Sequence, residues 1–471
     1  GYRDGLAFFP IMAFGTGFMA LTFWIIGRRA WEWGQRHDLV TPAELVGQIY
    51  GGRALSGLFA LVLVVFTVPY LALQPLAGGL VLQELFGLPQ WAGAGVVTLV
   101  IVFYTMRGGM KAVAWTDVFQ GLLMVILMLA AMFVVASAEG GLSEAFGRVH
   151  QEHPELFSRP GGQGKYLPGV WFSYILLWFY CDPMFPQLFQ RFYSAKNPRG
   201  LARSALWYPG ICTVVFALPI ALGLLGHLEF AGLSGKAADN ILPLLATKVG
   251  GDLLGTYIVA AGLAALMSTM DSQLLTLSSI FTRDILPFFS RRAEISPLWG
   301  RGFVLLLALA GWALAIKPPA TILQIATQAF TGFAALFPTV LFGLYLPRPR
   351  VAAGMASILV GQALLLAYAL GLLPSPQAVL PAVPVMAAST LVYLVAHVLA
   401  GSPLRPAVSP RAWLFAGLFG LIFLASQDYW RWDQVGGLWL GWPVWAWYFV
   451  GLSGLQTLAM WWWLRPARAR A

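Results

Sequence analysis

The chain has 471 residues, 59% of them hydrophobic and 10% charged, with 20 tryptophans and a mean hydropathy of +0.74. A soluble globular protein carries about a quarter of its residues as charges, so that class is excluded. The net charge of +10 reads as basic loops facing anionic lipid rather than as a nucleic-acid partner, and two cysteines, Cys181 and Cys212, both within apolar runs, exclude a disulfide framework or thiolate zinc site.

The apolar runs are about 20 residues long and no alternating ten-residue segments occur, so the spans are helices and the class is an all-α polytopic membrane protein. Thirteen transmembrane segments can be drawn, at 7–27, 54–84, 91–106, 114–137, 168–189, 204–226, 252–280, 301–316, 321–346, 352–373, 379–400, 412–426 and 438–464. If the first loop, "GRRAWEWGQRHD", is cytoplasmic, strict alternation gathers "MRGGMK", "QRFYSAKNPRGLAR", "RRAEISPLWGR", "PRPR", "SPLRPAVSPR" and the tail "RPARARA" on the same side. The positive-inside rule then puts the first residue outside and the C-terminus in the cytoplasm. A chain that opens outside on Gly1 without a signal peptide is expected to have further sequence upstream.

The fifth segment, "LLWFYCDPMFPQLFQRF", carries Asp182, Pro183 and Pro186 near its middle. Proline removes a backbone donor and clashes with the preceding turn, so a helix broken at membrane depth is expected. Such breaks mark binding sites in inverted-repeat transporters. The layout suggests a repeat of this kind. Short amphipathic inserts, "TPAELVGQIYGG" and "AADNILPLLATKVGG", separate segments one from two and six from seven, on opposite sides of the membrane. The expected organisation is a five-plus-five inverted repeat: residues 1–137 as the remainder of the first repeat (four helices), 138–167 as an extracellular loop, 168–346 as the second repeat of five helices, and 347–471 as four additional helices with a short basic tail. The partner of the broken helix would precede Gly1.

In the seventh segment, "AALMSTMDSQLLTLSS", the residues Ala265, Ser268, Thr269, Ser272, Thr276 and Ser279 fall within an arc of roughly 100° on one helix face. Such a stripe serves either close packing or coordination of a hard cation. Asp117, in "TDVFQ", reads as an N-cap partnered by Gln120. Asp182 is an ionisable group near the bilayer centre, which is usually functional, or else a cap with Pro183 at the first helical position. Beside it Trp178, Tyr180 and Cys181 offer an aromatic wall, and Tyr70 and Gln74, near Pro69, are further candidates. Enzymatic readings lack support: the five histidines form no H-E-x-x-H pair, and no G-x-S-x-G, Walker loop or dinucleotide fingerprint is present.

"YTMRGGMKAVAWTDVFQ" and "AALMSTMDSQLLTLSSIFTRDI", supported by "QRFYSAK" and "QAFTGFAALFPTVLFGLY", resemble the sodium:solute symporter family over about residues 1 to 400. The resemblance implies a leucine-transporter-like fold and Na⁺-coupled symport of a small organic solute, an organic acid or amino acid, across a cell membrane, here the bacterial inner membrane. It implies Na⁺ held by Ala265, Ser268 and Thr269, an ion exit path at Asp117, substrate contacts at Gln328 as well as at the broken helix, and an outer gate near Tyr2, Arg3 and Asp4. The competing use of Ser268 and Thr269 is packing or back-bonding to their own helix. The competing functions are proton coupling, which requires Asp182 or Asp117 to titrate, and a transporter-derived sensor, for which no signalling domain follows "RPARARA".

Overall fold

The computed structural model describes residues 1–235, 237–289, 296–318, 322–406, 408–432 and 434–469, and these are helical almost throughout. Eleven helical runs are long and apolar enough to cross a membrane. Two of the thirteen expected segments are not among them, each for a physical reason. The broken segment is split into α6 (Pro168–Cys181) and α7 (Pro186–Ser194), each too short to cross alone. The last helix, α16 (Val444–Ala469), has its hydropathy lowered by its tryptophans and Gln456. The end of the basic tail lies outside the described residues.

The first run, α1 (Gly5–His37), is the most enclosed span, 83% buried over its most apolar window, whereas Val113–Ala138 is only 17% buried. One is therefore the core of the bundle and the other presents its side chains to lipid. π-Turns at Ile11–Gly15 and Phe23–Gly27 loosen α1, and glycine makes close approach possible: a Cβ on Gly27 would sit 2.8 Å from the Phe192 ring. The run ends at Asp38 in the left-handed region, φ 54°.

The amphipathic insert α2 (Pro42–Tyr50) starts on a complete capping box, Thr41 with Glu44, as S/T-x-x-E predicts. It ends at Gly51, φ 68°, before α3 (Arg53–Phe86), which contains Pro69 and Pro75. The helical run α4 (Gln90–Ala138) is two helices joined at Gly109, φ 63° and ψ −174°, a conformation open to glycine. After the short helix α5 (Leu142–Glu152), on the face that bears Gly1 and is termed outer from that expectation alone, and the α6–α7 pair comes α8 (Pro198–Leu225). The run α9 (Ile241–Ile280) is likewise interrupted at Gly251, φ 73° and ψ 179°. Both amphipathic inserts thus close on a Gly-Gly pair, "YGGR" and "VGGD", with a positive φ at the first glycine of one, Gly51, and the second of the other, Gly251, before a membrane helix.

The remaining helices are α10 (Pro297–Ile316), α11 (Ile322–Ala334), α12 (Phe337–Tyr345), α13 (Val351–Ala369), α14 (Ala382–Leu399) and α15 (Pro410–Ala425). A two-residue antiparallel ladder, Leu438–Trp439 with Trp442–Pro443, turns the chain into α16. That outer turn is locked to the loop before α6: Arg159, 1% exposed, donates to the carboxylate of Asp428, also 1% exposed, and sits beside the rings of Trp432 and Trp445 at 5.2 and 5.8 Å.

Candidate functional site

The break between α6 and α7 is a single turn, Asp182–Met184, followed by Phe185 with ψ 121°. Asp182 is 5% exposed, and its carboxylate accepts from the Cys181 thiol at 3.3 Å. The capping alternative for Asp182 does not hold, because α7 begins at Pro186 with Phe185 as its cap residue and no side-chain cap bond. The carboxylate is therefore not spent on a helix end. Around the break an aromatic cluster closes: Tyr70 lies 5.4 Å from Phe185 and 5.0 Å from Phe330, and Trp178 lies 5.5 Å from Phe330. Gln74 is buried and donates to the Tyr70 carbonyl at 3.3 Å. Trp178 opens onto an outer cavity of about 940 Å³, and its indole N–H has no partner among the described residues.

Two sequence candidates lie apart from this cluster. Tyr180 points the other way round α6, its ring tilted against Phe337 at 4.4 Å and its hydroxyl 3.5 Å from Thr390. Gln328 is exposed on α11, on a different face from Ile322, Ala326 and Phe330, which line the outer cavity.

The polar stripe of α9 divides in two. At its outer end the Ala265 carbonyl accepts from Ser268 Oγ at 3.2 Å and Thr269 Oγ1 at 3.3 Å. Three oxygens thus meet at one half-buried point. Back-bonding of this kind holds the hydroxyls in place, and the donor set, one carbonyl and two neutral hydroxyls, suits a hard monovalent cation that must also be released. At its inner end the stripe grips α7: Thr276 Oγ1 donates to Gln190 Oε1 at 2.7 Å, Gln190 Nε2 lies 3.5 Å from Ser279 Oγ, and Ser272 Oγ accepts from Arg191 at 2.9 Å.

Asp117 is not a helix cap. The helix resumes directly after Gly109, so Asp117 sits within it and accepts from Arg191, which also holds Ser272. Beside this pair is a group that the sequence reading passed over. Asp271, fully buried, accepts from Tyr104 Oη at 3.0 Å, and Tyr104 also reaches the Met267 carbonyl at 3.2 Å. The other Asp271 oxygen has no partner among the described residues. Helical spacing does not mark it: at about 100° per residue Asp271 falls roughly 60° outside the arc that Ser268 bounds.

At the outer end Tyr2 donates to the Phe230 carbonyl at 2.7 Å, Arg3 approaches Asp239 at 3.7 Å, and Asp4 accepts from Tyr166 at 3.1 Å with Lys165 at 3.8 Å. Tyr2, Arg3 and Asp4 all line the outer cavity. Tyr166, in the outer loop, is held protonated well above the ordinary phenol range, by burial first and by the Asp4 carboxylate second.

Residues 1–361 match the model of the sodium:solute symporter family. The chain is similar to the high-affinity proline transporter PutP of Bacillus subtilis strain 168, at 27% identity over 341 residues and 71% of each chain. It is 28% identical to the sodium/proline symporter of Escherichia coli K12, over 66% of this chain and 63% of that protein. It is also 28% identical to the sodium/pantothenate symporter of the same strain, over 76% of this chain and 75% of the other. Among solved structures, a Na⁺-coupled sialic acid symporter in a substrate-bound outward-open state superposes with a TM-score of 0.67 at 18% identity, over 86% of this chain and 88% of that one. The fold is thus the expected leucine-transporter-like one.

Proposed function

From the premise that the chain belongs to the sodium:solute symporter family, and so is a sodium-coupled membrane transporter and not an enzyme, we propose that it carries a small organic acid or amino acid inward by alternating access. The observation that carries the site assignment is that Ser268 Oγ and Thr269 Oγ1 both lie within 3.3 Å of the Ala265 carbonyl oxygen. In this reading Na⁺ draws the two hydroxyls off the carbonyl and takes all three oxygens as part of its shell. Bound there, it holds α9 against the broken-helix bundle and favours the outward-open state.

Substrate enters by the outer cavity and meets Trp178, Tyr70, Gln74, Cys181 and Asp182. Gln328 and Tyr180 join only through a rearrangement of α11 and α6. Rocking of the two halves then delivers both ligands to the inner side, where Asp117 and Asp271 receive the ion as Arg191 moves away. With a membrane potential near 100 mV each charge carried inward supplies about 2.3 kcal/mol. The repeat boundaries proposed above, 1–137 and 168–346, the outside first residue, the cytoplasmic C-terminus and a bacterial inner membrane complete the reading. The paired Gly-Gly closures of the two inserts support the repeat.

The test is uptake into proteoliposomes. Labelled proline and pantothenate, the cargoes named for the relatives, are offered first under an inward Na⁺ gradient, then under a pH gradient without Na⁺. Accumulation that requires Na⁺ supports the reading. Accumulation driven by the pH gradient alone overturns Na⁺ coupling, and failure of both cargoes across a wider acid and amino-acid panel overturns the substrate class.

A further inference from the structure

A second large cavity, about 680 Å³, shares no lining residue with the cavity at Trp178 and lies between α1, α6, α12, α14, α15 and α16, with Tyr180 in its wall. Its walls are aliphatic and aromatic, among them Ile25, Phe179, Phe342, Phe419, Phe423 and Trp463, and among the described residues no charged one lines it. The helices that enclose one side, α15 and α16, and the strand of chain leading into them all follow residue 361, where the family match ends.

One end of this groove is basic. Arg405 stands between the lining residues Leu404 and Pro406, and Arg411 directly precedes the lining residue Ala412. Arg411 donates to the carbonyls of Trp462 at 3.0 Å and Trp463 at 3.5 Å, which fixes its guanidinium at the rim. Arg29 lies 3.8 Å over the ring of Tyr345, another lining residue. No acidic residue occurs between Gly401 and Leu424 or after Asp433, and Glu32, near Arg29, is paired with Arg28. Trp413, 60% exposed, and Trp462, 48% exposed, stand at the same level, and tryptophan and arginine together mark the headgroup depth of a bilayer. The groove therefore runs from the headgroup level into the hydrocarbon.

We propose that this groove is a binding site for one anionic phospholipid, with an acyl chain between α15 and α12 and the phosphate held by Arg405 and Arg411 in the field of Arg29. The apolar wall gives the chain the dispersion contacts that an unfilled cavity forfeits. Arginine supplies charge-assisted, bidentate hydrogen bonds to phosphate, and a net negative headgroup is favoured because no carboxylate opposes it. Basic pockets between membrane helices on the cytoplasmic side hold acidic headgroups in this way. The lipid would join the last two helices to the core, a role independent of whether the transport reading holds.

The experiment uses the whole chain, purified in mild detergent, delipidated, and titrated with phosphatidylglycerol or with phosphatidylcholine of the same acyl chains, read by native mass spectrometry and thermal unfolding. Phosphatidylglycerol is expected to bind one per chain and raise the melting temperature, and phosphatidylcholine at least tenfold more weakly. Arg405→Gln with Arg411→Gln should remove that preference. Gly420→Trp, at a position where an added Cβ meets no atom within 4 Å, should fill the groove and abolish binding of both lipids with an unchanged circular dichroism spectrum. If that variant fails to fold, Ala416→Leu replaces it, with a smaller loss expected. Equal binding of the two lipids, or undiminished binding in the filled groove, would overturn the proposal, as would oleate binding as tightly as phosphatidylglycerol, which would assign the groove to free fatty acid.

Discussion

Asp182 and Asp428 are both buried carboxylates, 5% and 1% exposed, and their surroundings treat them in opposite ways. Asp428 has a fixed cation, Arg159, packed under two tryptophan rings. Asp182 has only the weak thiol donor of Cys181, at a helix break beside an aromatic cluster. A buried charge held by a fixed cation consolidates an interface, in this case the outer loop against the α15–α16 turn. A buried charge with a weak partner, one turn from the cavity-lining Trp178, keeps its capacity for a ligand.

The sharpest way to break this contrast is at the outer pair. Arg159→Ala leaves Asp428 buried and uncompensated, and should cost about 3–5 kcal/mol, read as a drop in melting temperature of the solubilised protein. The double change Arg159→Met with Asp428→Asn should recover part of that loss, because it removes both charges and asparagine tolerates the left-handed backbone at this position, φ 42°. If the single variant is as stable as the parent, the pair does not consolidate the outer face.

At the inner acid the signs reverse. Asp182→Asn should leave the amount of folded protein unchanged, yet lower uptake per folded molecule by about a hundredfold, on the order of 3 kcal/mol. Unchanged uptake per molecule would reduce Asp182 to a structural residue. On α9 a smaller effect separates the two ends of one stripe. Thr269→Ala should raise the Na⁺ concentration for half-maximal uptake by about tenfold, or ~1.4 kcal/mol, with Ser268→Ala similar. Ser272→Ala should change it much less, since Ser272 is engaged by Arg191; equal Na⁺ curves for all three would remove the coordination argument. The smallest effect is expected for Tyr104→Phe, which deletes one hydrogen bond to Asp271 and should cost about 1 kcal/mol, seen as a modest change in Na⁺ affinity with normal folding.

The polar stripe and the broken fifth segment were both legible from residue spacing, because each depends on neighbours within about a turn. Asp117 was misread as a cap for a related reason: local spacing located the glycine loop but not the residue at which the helix resumes. Arg191 and Asp271 were passed over because their significance lies in pairs 74 and 167 residues apart, Arg191 with Asp117 and Tyr104 with Asp271. Such distances leave no periodic trace.

By itself the sequence determined that the chain crosses a membrane repeatedly as helices, because hydrocarbon leaves no other way to satisfy so much backbone. It also determined that one helix breaks at Asp182 and that one face of α9 is polar. Tertiary structure alone decided that Tyr180 and Gln328 stand apart from Trp178 and Asp182, since adjacent residues on a helix point about 100° apart and only packing selects the direction that meets a cavity. It decided as well that Arg159 closes on Asp428, 269 residues away, because the stability of a buried ion pair comes from the walls around it, and those walls exist only once the chain has folded.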